Sequence, residues 1–321
     1  MLVDGWRRQL RYLRVSLTDR CNLRCAYCMP EGGVPLGRHQ DILRLEEVAT
    51  VVRVAVEEGV RVVRLTGGEP LIRRGCVELV QWLSAMPGVE DVSLTTNGVL
   101  LVGLASRLRE AGLRRVNIGL PSLDPAVYRE LTRGGELQAA LDGLAAARAA
   151  GFSPIKLNVV VLRGVNDDLG AFLELSRSQP VEVRFIEYMP IGPLDGPRYL
   201  VTADEIRERI QAAGPVEAAE PLKGEGPARH ELRLPGAVGS LAIIGAVSEH
   251  PCATCNRLRL TADGHLRLCL LSEQEIDLRP ALRPDVDLLR LRQLLAAAAA
   301  EKPARMAEGA PNGRAMSQIG G

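Results

Sequence analysis

Six short runs rich in β-branched residues, at 11–17, 60–66, 91–96, 114–120, 155–162 and 181–189, alternate with longer amphipathic segments over the first two thirds of the chain. That alternation leaves few folds open. Parallel strands need a crossover connection, usually a helix, so strands and helices in turn predict a parallel sheet. The segments ILRLEEVATVVRVAVEEG, CVELVQWLSAM and ELQAALDGLAAARAAG repeat apolar residues at helical spacing, and two of them end on glycine, a common helix stop. Residues of unusual chemistry fall where strands end, which fits a barrel whose ligands bind at the strands' C-terminal face. The expected fold class is therefore α/β, with a partial (βα)6 TIM-type barrel over residues 1–215; an open doubly wound sheet shares the pattern. Past residue 215, VEAAEPLKGEGPARHELRLPGAVG is rich in Gly, Pro and charge and reads as loops and hairpins. It predicts a smaller C-terminal α+β domain over 216–300, ending in the helix LLRLRQLLAAAAA. The last segment, 301–321, has no periodicity, and its composition reads as a mobile tail.

Composition narrows the partners. With 40 Lys+Arg against 39 Asp+Glu the formal charge is +1, so no global field favours nucleic acid, and any anion site must be a local cluster. The first ten residues, MLVDGWRRQL, lack the apolar core of a signal peptide, and no run of eighteen apolar residues exists to cross a bilayer. The expectation is a cytoplasmic protein that does not enter a membrane. Seven cysteines, six of them in two tight groups, suit metal binding in a reducing compartment better than a disulfide framework. Cys76, alone in a helical segment, reads as a small buried hydrophobe.

The first group, Cys21, Cys25 and Cys28 in CNLRCAYC, can place three thiolates on three corners of an iron–sulfur cubane and leave the fourth iron without a protein ligand. Soft thiolates suit zinc as well, and plain buried thiols are the third reading. The second group, Cys252, Cys255 and Cys269, again supplies three. His265, four residues before Cys269, offers a Cys3His zinc site as the alternative. Arg257 and Arg259 flank Leu258 in NRLRL and share one face of an extended segment, which makes them either a phosphate clamp or a solvated strand face. Lys156 is one of three lysines beside 37 arginines and sits in an otherwise apolar strand, where an unpaired ammonium is costly unless it snorkels from an edge. Gly67 and Gly68 in LTGGEP allow close backbone approach at a strand end, and Pro70 can open the next helix.

Taken together, LRVSLTDRCNLRCAYC, LTGGEP, CATCNRLRLTADGHLRLCL and the terminal Gly320-Gly321 resemble the GTP 3′,8-cyclases, radical S-adenosylmethionine (SAM) enzymes of molybdenum cofactor biosynthesis. The resemblance implies two [4Fe-4S] clusters. The first triad would leave its open iron to SAM, and the second would turn its free iron to the purine of GTP. It also implies reductive cleavage of SAM, abstraction of the ribose 3′ hydrogen and attack of the sugar radical on carbon 8 of guanine. It assigns Tyr27, Gly68, Gly119 and Met189 to SAM, and Arg14, Arg64, Thr95, Lys156, Arg257, Leu258 and Arg259 to GTP. Gly320 and Gly321 would thread into the active site. One departure stands out: where the family has a segment like SxDSLD, this chain reads GLPSLD, so Gly119 replaces a serine and Pro121 an aspartate. Implied partners are a flavodoxin- or ferredoxin-like electron donor and, downstream, cyclic pyranopterin monophosphate synthase, with a homodimer as one open assembly. The rival readings are a radical SAM enzyme acting on a peptide and a non-catalytic iron–sulfur or zinc electron-transfer module.

Overall fold

The computed structural model describes residues 1–219, 230–306 and 313–320. Its elements run β1 (Tyr12–Ser16), α1 (Leu45–Glu57), β2 (Val62–Thr66), α2 (Cys76–Ser84), β3 (Asp91–Thr96), α3 (Leu101–Glu110), β4 (Arg115–Gly119), α4 (Pro125–Thr132), α5 (Leu137–Ala149), β5 (Ile155–Val161), α6 (Gly170–Ser178) and β6 (Glu182–Glu187). There follow α7 (Gly196–Tyr199), α8 (Ala203–Ala212), β7 (Glu217–Ala218), β8 (His230–Arg233), β9 (Ser240–Ile244), β10 (Arg257–Leu260), β11 (His265–Arg267), β12 (Glu275–Asp277), α9 (Leu288–Ala300) and α10 (Met316–Ile319). All six strands expected from the sequence form. They pair in parallel in the order 1-2-3-4-5-6. No reversal interrupts that order, so the sheet is the partial barrel and not the doubly wound alternative.

The residues beyond 215 extend this sheet at both ends. β9 pairs in parallel with β6, and β10 pairs in parallel with β1, so eight parallel strands run without a break. β8 and β7 then continue one edge antiparallel, and β11 and β12 the other. The change of pattern near 215 thus marks the end of the β/α repeats, while the strands after it share one sheet with those before it.

Alternation along the strands assigns two faces. Leu13, Val15, Val63, Leu65, Leu94, Val116, Ile118, Leu157, Val183, Phe185, Leu258 and Leu260 point outward and, with Val51, Val52, Leu79 and Leu108 of the helices, form the main core. The inward face carries Arg14, Arg64, Ser93, Arg115, Asn117, Lys156, Glu182, Arg184 and Arg259. Barrel interiors are ordinarily filled by branched apolar side chains. This one is polar, and burial of so many charges demands partners. Arg115 chelates Asp91 across β3 and β4, and Glu182 is shared between Arg184 and Lys156, the latter at 3.4 Å. Arg64 donates to Ser93 Oγ at 3.2 Å and lies over the Tyr12 ring, 5.4 Å from its centre.

Leu258 lies on the apolar side of β10, 1% exposed, with the two arginines on the other side. Leu258→Ala is expected to lower stability in urea unfolding of the whole chain by roughly 2–5 kcal/mol. A loss below about 0.5 kcal/mol would show that this face is not packed.

Candidate active site

One cavity of about 310 Å³ opens inside the barrel, and both cysteine triads line it, together with Arg14, Arg64 and Thr95 from the strands and Tyr27, Gly68, Gly119, Met189, Arg257 and Arg259. Residues more than two hundred positions apart in sequence therefore share one chamber, because β10 pairs directly with β1. Arg14 stands in register with Arg64 on one side and Arg259 on the other. Three expected residues lie off the cavity wall. Lys156 sits two residues deeper along β5 than Asn158, which does reach the wall. Leu258 faces the core, and Gly320 reaches the barrel from the C-terminal segment; Gly321 lies outside the described residues.

The loop carrying the first triad is braced on three sides. Behind it, the backbone N–H groups of Arg24 and Ala26 donate to the carbonyls of Thr132 and Leu131 at the end of α4, at 3.2 and 2.8 Å. Arg133, the left-handed cap of that helix, donates to the Met29 carbonyl at 2.8 Å. In front, Gly68 N–H donates to Thr18 O at 2.7 Å and Glu69 N–H to Arg20 O at 2.8 Å. The glycine pair is required by this approach, since a Cβ on Gly68 would stand 2.2 Å from the Arg20 carbonyl. Glu69 then ties β2 to β3. Its carboxylate accepts from Leu71 N, Thr96 Oγ1 and Asn97 N, and the Asn97 side chain reaches Cys21 Sγ at 3.8 Å.

The second triad is held by cations. Arg8 donates to the Cys252 carbonyl at 2.6 Å and to Pro303 O at 2.7 Å. Lys302 donates to Arg257 O and Leu268 O, at 2.9 and 2.6 Å. Glu187, at the end of β6, accepts from Val247 and Ser248 N–H and so fixes the loop ahead of Cys252. Cys25 and Cys28 of the first triad and Cys255 of the second shift in opposite directions. Burial pushes the Cys25 thiol up to about 12 and Cys28 higher still. Burial also acts on Cys255, yet Arg257 and Lys302 outweigh it and bring that thiol down to about 6. Burial lowers Arg64 and Arg259 to about 10, which leaves both charged at neutral pH.

Two family models cover the chain: the radical SAM superfamily over residues 15–175 and molybdenum cofactor synthesis C over 181–308. Proteins called GTP 3′,8-cyclase are 51% identical in Moorella thermoacetica, 49% in Pelotomaculum thermopropionicum and 48% in Heliobacterium modesticaldum, over 99–100% of both chains. This chain belongs to the GTP 3′,8-cyclase family of radical SAM proteins. Among solved structures, Streptococcus suis SuiB bound to S-adenosylmethionine superposes with a TM-score of 0.59 at 13% identity. The match covers 84% of this chain and 63% of that longer one, and it shows the fold alone.

Membership gives the donor sets a meaning, and the structure fits it: each triad presents three soft ligands to one chamber and none of them is bridged to another. The Cys3His zinc alternative fails on His265, whose Nδ1 lies 3.3 Å from Asp263 and 3.4 Å from Arg314 and whose Nε2 lies 3.5 Å from Arg279. Those partners engage both ring nitrogens away from the cavity wall. Among the described residues no three His, Cys, Asp or Glu side chains are gathered to hold a single ion. Cys76 is buried in the core, as expected.

Sequence reasoning missed Arg8, Arg184, Asn158, Lys302 and Arg305, all on the cavity wall. Arg184 and Asn158 were open to the argument that singled out Lys156, a polar side chain in an apolar strand. Lys302 is another of the three lysines. Arg8 and Arg305 carry no local signal, since only the tertiary fold brings the two ends of the chain together.

Glycine positions separate cleanly. Gly68→Ala is expected to displace the first-triad loop and to cut iron in anaerobically reconstituted protein from about eight atoms per chain to about four. Gly119→Ser, whose nearest neighbour to a new Cβ is Thr96 O at 3.8 Å, is expected to keep stability within about 0.5 kcal/mol of wild type. Full iron in the first variant would remove the steric argument.

Proposed function

We propose that this protein converts GTP to (8S)-3′,8-cyclo-7,8-dihydroguanosine 5′-triphosphate, the first step of molybdenum cofactor biosynthesis, using SAM and two [4Fe-4S] clusters. The observation that carries this is the shared chamber: two sulfur triads line one cavity with Arg14, Arg64, Arg184, Arg257, Arg259 and Lys302. A peptide substrate or a simple electron carrier has no use for six cations on one cavity wall, four of them buried; a triphosphate does.

The first triad, Cys21, Cys25 and Cys28, would hold the cluster that takes SAM, and Cys252, Cys255 and Cys269 the cluster that takes the guanine. When bound and reduced, the first cluster supplies one-electron cleavage of SAM and with it the oxidising power for hydrogen abstraction. The chain's own residues bind and orient. Tyr27, Gly68, Gly119 and Met189, which line the same cavity, would hold SAM. Arg14, Arg64 and Arg259 stand in one rank across three adjacent strands and would clamp the phosphates. Arg64 Nη2 and Thr95 Oγ1 are buried with no hydrogen-bond partner, which suits groups waiting for a ligand. Lys156 would act from below the wall, by adding charge to the floor. We infer also that residues past 215 form the unit that carries the auxiliary cluster, and that electrons come from a flavodoxin- or ferredoxin-like donor. The product would pass to a cyclic pyranopterin monophosphate synthase. No helix among the described residues is long and apolar enough to cross a membrane.

The test is anaerobic reconstitution with iron and sulfide followed by dithionite, SAM and GTP. Stoichiometric 5′-deoxyadenosine and a cyclised nucleotide of the same mass as GTP are expected. Release of 5′-deoxyadenosine that GTP does not stimulate, with no change in the nucleotide, would sink the assignment. Arg259→Ala should cost at least about a hundredfold in turnover, since a charge-assisted contact to phosphate is lost from a buried site.

A further inference from the structure

The chain end, read from composition as a mobile tail, is docked. Ile319 is buried against Ile191 and Leu271, and the Gly320 carbonyl accepts from Arg259 Nη1 at 3.1 Å. A Cβ on Gly320 would meet Thr66 Oγ1 at 2.6 Å, so the backbone lies against the ends of β1 and β2. α10 is only four residues long, too short to be stable by itself, so its position depends on anchors. The strongest polar anchor lies just ahead of it. Arg314 Nη1 donates to Asp263 Oδ1 at 3.1 Å, while its Nη2 donates to Asp263 Oδ2 at 2.9 Å and to Glu275 Oε2 at 2.8 Å. Asp263 sits in the turn between β10 and β11, and Glu275 on β12. Both belong to the edge that carries Arg257 and Arg259.

We propose that Arg314 is a positioning residue for catalysis: its two-pronged grip on Asp263 and Glu275 sets the register in which the chain end enters the barrel and delivers Gly320 to Arg259. The guanidinium fork fixes direction as well as distance, which a lysine point charge does not. Because the grip is on the β10–β12 edge, the substrate arginines and the chain end move as one body. The catalytic consequence rests on the function proposed above; the grip itself does not.

Hydrogen–deuterium exchange on the reconstituted full-length holoprotein, read by mass spectrometry over residues 315–320, separates the two. Wild type should protect this segment. Arg314→Glu should speed its exchange by at least about tenfold, with iron content and thermal midpoint unchanged, and Asp263→Asn should act in the same direction with a smaller effect. In turnover, Arg314→Glu should lose cyclised nucleotide while still cleaving SAM, and Arg314→Lys should recover part of the loss. An unprotected segment in wild type, or equal protection in Arg314→Glu, overturns the proposal. Protection that follows the expected pattern in a protein that never cyclises GTP supports the grip and counts against the reaction assignment.

Discussion

Burial of positive charge inside a partial barrel of parallel strands is the constraint from which this structure follows. The outward faces of the strands are Leu, Val, Ile and Phe packed on helices, and they supply the stability. The inward faces are polar and cannot contribute in that way. Two carboxylates, Asp91 and Glu182, pair with Arg115, Arg184 and Lys156 at the bottom and leave one positive charge in excess. Higher up the cations outnumber the carboxylates: Glu187 is the one carboxylate on the cavity wall among the described residues, and its oxygens are spent on backbone N–H groups. The remaining compensation has to come from anions that bind there, thiolate-ligated clusters and a polyphosphate.

The two sulfur sites differ because their loops do. The first triad lies between the end of α4 and the glycine pair after β2, where backbone hydrogen bonds hold the loop and burial keeps its thiols protonated until iron displaces the protons. In the second triad, Arg257 and Lys302 favour the thiolate of Cys255 before any metal arrives.

Much of this was legible in the sequence, and the reasons are specific. Period-2 alternation with arginine, lysine or asparagine at inward positions marks both the strands and the chamber, as in RYLRVSL, VRVVRLT and IKLNVVV. The cysteine spacings name the ligands. The pairing of β10 with β1 was not legible, because no local pattern announces which edge a late strand will join. It is this pairing that brings the second triad to the first. Composition alone missed the docking of the chain end, which the family resemblance implied, for a related reason: residues 316–320 lack periodicity since they are held by Arg259, Arg314 and an apolar pocket distant in sequence. His265 was a reasonable zinc ligand by spacing, and only the positions of Asp263, Arg279 and Arg314 remove it.

The measurement that bears most directly on the charged interior is equilibrium binding of GTP and of guanosine to the cluster-loaded protein at one ionic strength. If the barrel holds its cations for a polyphosphate, guanosine should bind at least about a hundredfold more weakly, a difference of about 2.7 kcal/mol, and the gap should narrow as salt is raised. Equal affinities at low salt would contradict the account.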